Sequence, residues 1–212
     1  MENLRKNKGI LIVISGPSGV GKGTVRKELF KRDSKGFKYS ISMTTRKPRD
    51  KERNGIDYFF VSREQFEQEI ANDGLLEYAE FIDNFYGTPK RWVQEELERG
   101  NDVILEIEVE GAKKVRQKMP EGVFIFIAPP SMKALEKRLR KRATEKEEVI
   151  RYRLDKAIRE VGLAGDYDYI VVNDEIKLAA TRIEEIIQAE RMRSSRLKDS
   201  YLECLKEDMK CL

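Results

Sequence analysis

The stretch that decides the fold is Ile10–Thr24, with the sequence ILIVISGPSGVGKGT. Its first five residues, Ile10–Ile14, are aliphatic without polar alternation, which is typical of a parallel strand covered on both faces. The glycines that follow let the backbone curl so that several N–H groups point at one anion, and Lys22 adds a mobile positive charge. A helix predicted from Thr24 directs the positive end of its dipole at the same point. The sequence therefore predicts a loop that holds a triphosphate.

This loop departs at one position from the usual pattern, which has Ser or Thr directly after the lysine to bind Mg²⁺. Gly23 stands there instead, and Thr24 follows it. We expect Mg²⁺ to be held mainly by phosphates and water, because this ion gives up its water reluctantly. The loop positions predicted to hold the nucleotide phosphates are Gly16, Pro17, Ser18, Gly19, Val20, Gly21, Lys22, Gly23 and Thr24.

Composition narrows the class of protein. The chain has 212 residues, with 42 basic and 38 acidic side chains and no histidine. This length fits one α/β unit with insertions. The formal charge of +4 is spread among interleaved charges, which suits phosphorylated small molecules and gives no case for nucleic acid. Imidazole catalysis is excluded, so the chemistry must rest on carboxylates, lysine, arginine and metal.

The chain shows no targeting or cross-linking pattern. No apolar run approaches membrane-spanning length, and the N-terminus lacks the apolar stretch of a signal peptide, so we expect a cytoplasmic protein without membrane contact. Cys204 and Cys211 lie too close to the C-terminus to staple the fold, and no other cysteine or histidine completes a zinc site.

Apolar strand candidates alternate with helical patterns, which predicts an α/β fold with a largely parallel sheet flanked by helices. The buried-strand candidates are Ile10–Ser15, Val103–Val109, Val123–Ala128 and Tyr169–Val172. A helix is predicted over Ala112–Lys118, a second after the N-cap Ser131, and a long third one after Asp174 as its cap.

Two segments interrupt this alternation. Residues 37–86 predict a small mixed sheet around one helix, for which Ser62 and Gln65 form a capping box. Its strand-like pieces are Tyr39–Ser42, Tyr58–Val61 and Leu75–Phe81. Residues 138–153 are dense in arginine and lysine and form a second insertion. We therefore divide the chain into a core (1–36, 87–137 and 154–191), a first insertion (37–86), a second insertion (138–153) and a helical tail (192–212).

The first insertion carries residues suited to phosphate binding. Arg46 and Arg49 flank Pro48, and two planar guanidinium groups held in this way can grip a phosphate, although a solvated basic loop is the commoner fate of such a run. Glu77 lies inside the apolar stretch LLEYAEF. It either faces solvent at a strand edge or is held inside for recognition, and the alternation of its neighbours does not decide between these alternatives.

Together these motifs resemble the guanylate kinases, a family of P-loop nucleoside monophosphate kinases. The resemblance runs from about Gly9 to Arg191 and implies transfer of the γ-phosphoryl group of ATP to GMP with Mg²⁺, with dGMP as a further substrate. It also implies a P-loop core, a GMP-binding insertion and a lid. The matching motifs are the loop Gly16–Thr24, SxTTRxPRxxExxGxDYxF at Ser42–Phe60, the strand around Glu77, Tyr86-Gly87-Thr88, LEIEVEG at Leu105–Gly111, IAPPS at Ile127–Ser131, and RLxxRxTE with Arg153-Leu154.

The resemblance assigns roles by position. Ser42, Glu77 and Thr88 match the residues that read guanine, where a carboxylate accepts from N1–H and the 2-amino group and hydroxyls donate to O6. Asn173 matches a contact to the donor nucleotide. The residues matched to the GMP phosphate are Arg46, Arg49, Tyr58 and Tyr86. Those matched to catalysis around the transferred phosphoryl group are Lys22, Arg46, Arg138, Arg142 and Arg153.

The chain also departs from the family at its central acidic pair. Glu106 and Glu108 stand where many members carry aspartates. Both are candidates for substrate binding, and the resemblance leaves open which of them contacts GMP and which orients water around Mg²⁺. No protein group is expected to bind the metal directly.

Two other classes of function compete with a kinase. A guanylate-kinase-like binding module without catalysis would usually lack the loop lysine or the lid arginines, which this chain keeps. A GTP-hydrolysing switch would use Asp33–Gly36 as a degenerate Asp-x-x-Gly, but the chain has no Asn-Lys-x-Asp motif.

Motion and assembly are less constrained by the sequence. Both insertions carry arginines with no carboxylates spaced to neutralise them, so we expect an open form that closes when GMP and ATP bind.

The tail has an apolar helical stripe at Tyr201, Leu202, Leu205 and Met209, which suits packing on the core, pairing with another chain, or fraying. The sequence is compatible with a monomer or a homo-oligomer.

Overall fold

The computed structural model describes residues 8–32, 37–141 and 147–209. Its strands are β1 Leu11–Ser15, β2 Phe37–Tyr39, β3 Met43–Thr44, β4 Phe59–Phe60, β5 Leu75–Phe81, β6 Asn84–Pro89, β7 Asp102–Glu106, β8 Val123–Ala128 and β9 Tyr169–Val172. Its helices are α1 Lys22–Arg32, α2 Arg63–Ala71, α3 Lys90–Glu98, α4 Val109–Lys118, α5 Met132–Lys141, α6 Glu147–Gly162, α7 Ile176–Arg191 and α8 Ser194–Met209.

A five-stranded parallel sheet in the order β2-β7-β1-β8-β9 forms the centre of the fold. All residues of β1 are buried, as its unbroken apolar run predicts. Ile12 and Ile14 pack toward α1, α5 and α7, while Leu11 and Val13 pack toward α3 and α4. The predicted α/β class with helices on both faces of a parallel sheet is therefore confirmed.

A smaller four-stranded sheet in the order β4-β3-β6-β5 carries residues 43–89. The capping box at the start of α2 is present, since Gln65 N donates to Ser62 Oγ and Ser62 N donates to Gln65 Oε1. The predicted strand Tyr39–Ser42 is wrong. Phe37 is buried in the main core, and β2 pairs with β7, so 37–39 belong to the large sheet and not to the insertion.

Two further element boundaries differ from the prediction. The strand predicted over Val103–Val109 ends at Glu106, because Val109 already begins α4. Asp174 does not cap α7, whose N-cap is Glu175 without a side-chain hydrogen bond. The Asp174 carboxylate instead accepts from Glu175 N and from Arg182.

The tail forms α8, on which Tyr201, Leu202 and Leu205 are exposed. These side chains make the predicted helical stripe, and they lie on the surface instead of packing on the core. Within residues 8–32, 37–141 and 147–209, no helix is long and apolar enough to cross a membrane.

The turn between β5 and β6 holds a strained residue. Ile82 has φ +46° and Asp83 has φ +59°. A β-branched residue in this left-handed region costs roughly 1–2 kcal/mol, whereas asparagine tolerates it. Since the Ile82 side chain is 73% exposed, little packing is lost when it is replaced.

We expect Ile82→Asn to raise the free energy of unfolding by about 1 kcal/mol. Urea denaturation of the variant and its parent measures the difference. Ile56→Asn is the matched control, because Ile56 is also exposed but does not have a positive φ. A fall in stability of Ile82→Asn, or an equal gain in the control, would contradict the strain argument.

Candidate functional site

The triphosphate loop joins β1 to α1 and is built on positions that exclude a side chain. Gly16 has φ +146°, and a Cβ there would lie 2.3 Å from the carbonyl oxygen of Ile127. The loop therefore presses against the end of β8 and turns into α1, which begins at Lys22, two residues earlier than predicted. This geometry places the positive end of the α1 dipole at the loop, as a phosphate cradle requires.

Lys22 is nearly buried at this point. Its side chain donates to the carbonyl oxygen of Gly16 at 2.7 Å and to Glu108 Oε1 at 3.3 Å. It also donates to the carbonyl oxygen of Pro17 at 3.5 Å. The ammonium group is therefore fixed over the loop by two backbone oxygens and one carboxylate. All three are weaker partners than a triphosphate, whose oxygens carry several charges.

Glu106 ends β7, Glu108 is the N-cap of α4, and both lie beside the loop. Glu106 Oε2 accepts from Arg26 Nε at 2.7 Å, and a Cβ on Gly23 would lie 3.2 Å from Glu106 Oε1. Glu108 contacts Lys22. The longer Glu106 thus occupies space beside the position where the usual loop has Ser or Thr, which gives a steric reason for Gly23. Neither carboxylate is near Glu77 in the described contacts, and their contact with GMP remains a prediction.

Arg138 and Asn173 meet on the other side of the loop. Arg138 donates to the carbonyl oxygens of Val20 and Asn173 at 3.0 and 2.8 Å, and Asn173 Nδ2 donates to Val20 at 2.8 Å. The Asn173 side-chain oxygen is buried without a hydrogen-bond partner in the described part of the chain. These residues line a cavity of about 240 Å³ beside Gly21 and Thr24. Its position beside the loop suits the donor nucleotide.

The remaining lid arginines are placed only in part. Arg153 lies on α6, and Arg142 lies outside the described residues. Arg140 and Glu147 form a two-bond ion pair that joins the ends of α5 and α6.

The arginine grip of the insertion forms around Arg46. Its guanidinium group lies 5.4 Å from the centre of the Tyr58 ring, and the Tyr58 and Tyr86 rings meet edge to face. Arg46 donates to Glu52 Oε1 at 2.9 Å, while Arg49 N donates to Glu52 Oε2. One carboxylate therefore holds both arginine positions, and this pairing lowers the pKa of Glu52.

Glu52 corrects the expectation that the arginines of the insertion have no internal carboxylate partner. The signal was present in the sequence, because Glu52 is the glutamate of the motif SxTTRxPRxxExxGxDYxF. Arg140 likewise has Glu147. Closure on nucleotide binding stays a prediction, and for Arg46 and Arg140 it cannot be attributed to unpaired charge.

The residues matched to guanine lie on neighbouring strands of the small sheet. Thr88 donates to Glu77 Oε1 at 2.7 Å. β3 pairs with β6 so that Met43 lies opposite Gly87, and continuing this register places Ser42 beside Thr88. Gly111 of α4 lies against the Glu77 carboxylate, where a Cβ would be 3.2 Å from Oε2. Glu77 is therefore partly buried and does not simply face solvent, while its part in recognition stays a prediction.

Burial raises the pKa of Glu77 above its usual value, and the Thr88 hydrogen bond and Lys114 oppose this shift only partly. A group that binds its proton more tightly in the folded chain stabilises the fold below its unfolded pKa and loses that contribution as pH rises through the folded pKa. Ionised Glu77 therefore costs stability at neutral pH. Such a cost is typical of a residue kept for binding.

The same shift predicts pH-dependent recognition. Because a guanine-binding carboxylate must be ionised, we expect the KM for GMP to rise on acidification from a pH above the usual glutamate range. Comparing the pH profile with that of Glu77→Gln isolates this residue, since the phosphate of GMP titrates in both proteins. Identical profiles would contradict the prediction. At neutral pH, Glu77→Gln should be at least as stable as its parent.

Comparisons with known proteins agree with this geometry. The family model described as guanylate kinase matches residues 8–190. The chain belongs to the guanylate kinase family. A guanylate kinase from Latilactobacillus sakei is 55% identical over 95% of this chain and 99% of its own length, and one from Bacillus cereus is 54% identical over 94% and 98%. The crystal structure of guanylate kinase from Anaplasma phagocytophilum is 35% identical, with TM-score 0.69 over 90% of each chain.

Membership of the guanylate kinase family confirms the resemblance found in the sequence. The roles assigned to individual residues stay predictions. The structure brings Lys22, Glu106 and Glu108 together at the loop, and it brings Arg138 and Asn173 together beside the loop. Within the insertion, one cluster forms around Arg46 and another around Glu77.

Proposed function

We propose that this chain transfers the γ-phosphoryl group of ATP to GMP and releases ADP and GDP. The observation that carries the proposal is the partly buried hydrogen bond between Thr88 and Glu77, in a chain that also has the loop motif for a triphosphate. A carboxylate beside a hydroxyl suits the N1–H, 2-amino and O6 groups of guanine. None of the proposed contacts involves the ribose 2′-hydroxyl, so dGMP should also be a substrate.

The acceptor phosphate is proposed to bind at the grip formed by Arg46, Arg49, Tyr58 and Tyr86. Its negative charge can share Arg46 with Glu52 or displace that carboxylate, because phosphate carries more charge and offers three acceptor oxygens. Lys22 and the loop N–H groups would hold the donor phosphates, and Arg138 and Asn173 would border the rest of ATP. Arg142 and Arg153 would complete the cationic surroundings.

Phosphoryl transfer depends mainly on positioning and neutralisation of charge, so these groups suffice without histidine. In the described residues, no group of three acidic, cysteine or histidine side chains could hold a metal ion. Glu106 and Glu108 are instead paired with cations. This donor set fits Mg²⁺ carried by ATP phosphates and water, with the two carboxylates near its water shell. When bound, the ion neutralises phosphate oxygens.

A nucleotide panel tests the proposal. Purified protein with ATP and Mg²⁺ should convert GMP and dGMP, and AMP, CMP and UMP only slowly, in an assay that detects ADP. Binding of GMP without turnover would favour the binding module, and GTP hydrolysis without GMP would favour the switch, whose Asp33–Gly36 segment lies outside the described residues. Because ATP and GMP are cytoplasmic metabolites, we also propose a cytoplasmic location.

A further inference from the structure

Four charged side chains of alternating sign run from the triphosphate loop to α6. Lys22 Nζ lies 3.3 Å from Glu108 Oε1, and the other oxygen of Glu108 lies 3.8 Å from Lys156 Nζ. Lys156 Nζ lies 3.5 Å from Glu160 Oε1. We call these four residues the charge ladder. The charge ladder connects α6, through Glu108, to Lys22, the residue that the proposed reaction needs most.

Stability alone does not explain the charge ladder. The Glu108 side chain is 56% exposed, and ion pairs at such sites contribute little. Lys156 precedes Glu160 by four residues, and this order supports a helix less than the reverse order does. Glu160 is only 6% exposed, and one of its oxygens has no hydrogen-bond partner within the described residues. Keeping a charge there costs folding free energy.

The charge ladder controls the surroundings of Lys22. Glu108 is the N-cap of α4, but its side chain makes no capping hydrogen bond and turns to Lys22 instead. Alone, this carboxylate would attract Lys22 with its full charge and compete with the nucleotide phosphates. Lys156 neutralises part of the charge of Glu108 and so weakens its attraction for Lys22. Glu160 holds Lys156 in place.

The charge ladder also affects the position of Arg153, a residue of the lid. Arg153 lies three residues before Lys156, which places the two on the same side of α6. A helix tied to the loop through Glu108 therefore carries Arg153 in a fixed relation to Lys22. Loss of the tie would affect both cations around the transferred group.

We propose that Lys156 and Glu160 are positioning residues for phosphoryl transfer. Through Glu108 they set the direction of Lys22, and they keep α6 with Arg153 beside the loop. The inference rests on the proposed kinase function, and it adds two residues that do not touch the reacting atoms.

A double-mutant cycle tests the charge ladder. Lys156→Met should lower kcat by roughly tenfold, with the KM for GMP within about twofold, because the GMP contacts lie in the small sheet. If Lys156 acts through Glu108, the same change in a Glu108→Gln background should lower kcat by less than about twofold further. Lys156→Arg should retain most of the turnover. Glu160→Gln should lower kcat several-fold while the protein unfolds at the same or a higher denaturant concentration.

Glu95→Gln is the control, because Arg91 and Glu95 on α3 have the same order and spacing and lie 2.8 Å apart. It should leave kcat unchanged. If the parent does not form GDP, the proposed function is wrong. If the parent is active but Lys156→Met keeps the parental kcat, the positioning role is wrong and the kinase function stands. The same conclusion follows if Lys156→Met lowers kcat by the same factor in the parent and in Glu108→Gln.

Discussion

Lys22→Met is expected to lower the kcat for GDP formation by about a hundredfold or more while the protein stays folded. The loss corresponds to removal of one positive charge that stabilises the transition state. Lys22 lies over the loop, where its side chain donates to Gly16 and Glu108, and we expect the donor phosphates to bind at this ammonium group. The turns of the loop are set by Gly16, Gly19 and Gly21, which all have positive φ, so the loop should keep its shape and ATP should still bind.

Three measurements separate catalysis from folding in Lys22→Met: turnover, ATP binding by calorimetry, and the urea midpoint. Methionine keeps most of the length of the side chain without its charge. Lys31→Met is the matched control, because Lys31 lies on the same helix with its side chain 76% exposed. Parental turnover in a folded Lys22→Met protein would refute the role assigned to the loop.

The centre of the fold could be predicted because its signals are local. The apolar run Ile10–Ile14 supplies most of β1, which is buried throughout, and the glycines after it force the turn that builds the loop. The predicted strands Val123–Ala128 and Tyr169–Val172 have the observed bounds for the same reason. Each is a short apolar run with a clear end, which fixes both its type and its limits.

Errors arose where long-range contacts decide. Phe37–Tyr39 is a strand because β7, about 65 residues later in the chain, supplies its partner. Ala112–Lys118 shows a helical pattern, but α4 begins at Val109, where the apolar run of β7 obscured the boundary. Secondary-structure propensity within a short window of sequence contains no information about the pairing of β2 with β7 or about the point at which α4 begins.

Side-chain partners within the site were harder to predict than its members. Arg46 was recognised from the motif, but its pairing with Glu52 depends on how the chain turns at Pro48. Glu77 could not be assigned to the interior from its neighbours, because the decisive contacts come from Thr88 on β6 and Gly111 on α4. The charge ladder likewise joins α1, α4 and α6, and no sequence spacing relates them.

The choice of base should depend on Glu77. Guanine presents N1–H and a 2-amino group to a carboxylate, whereas adenine presents an acceptor at N1, so an ionised carboxylate facing AMP would lose its partners. A site built around such donors discriminates by on the order of 10⁴-fold. The parent should show a ratio of kcat/KM for GMP over AMP of that order.

Glu77→Ala should collapse this ratio, mainly because kcat/KM for GMP falls. Glu77→Gln keeps the volume of the side chain and can still accept from Thr88, but its amide N–H opposes guanine N1–H and suits adenine N1. The ratio of GMP over AMP should therefore fall, because kcat/KM decreases for GMP and increases for AMP. Glu80→Ala is the control, because Glu80 lies on the same strand with its side chain 51% exposed. The kcat/KM of each variant for GMP and AMP, with urea midpoints, separates recognition from folding. An unchanged ratio in both folded Glu77 variants would mean that guanine is read elsewhere, because no other carboxylate contacts Thr88 in the described residues.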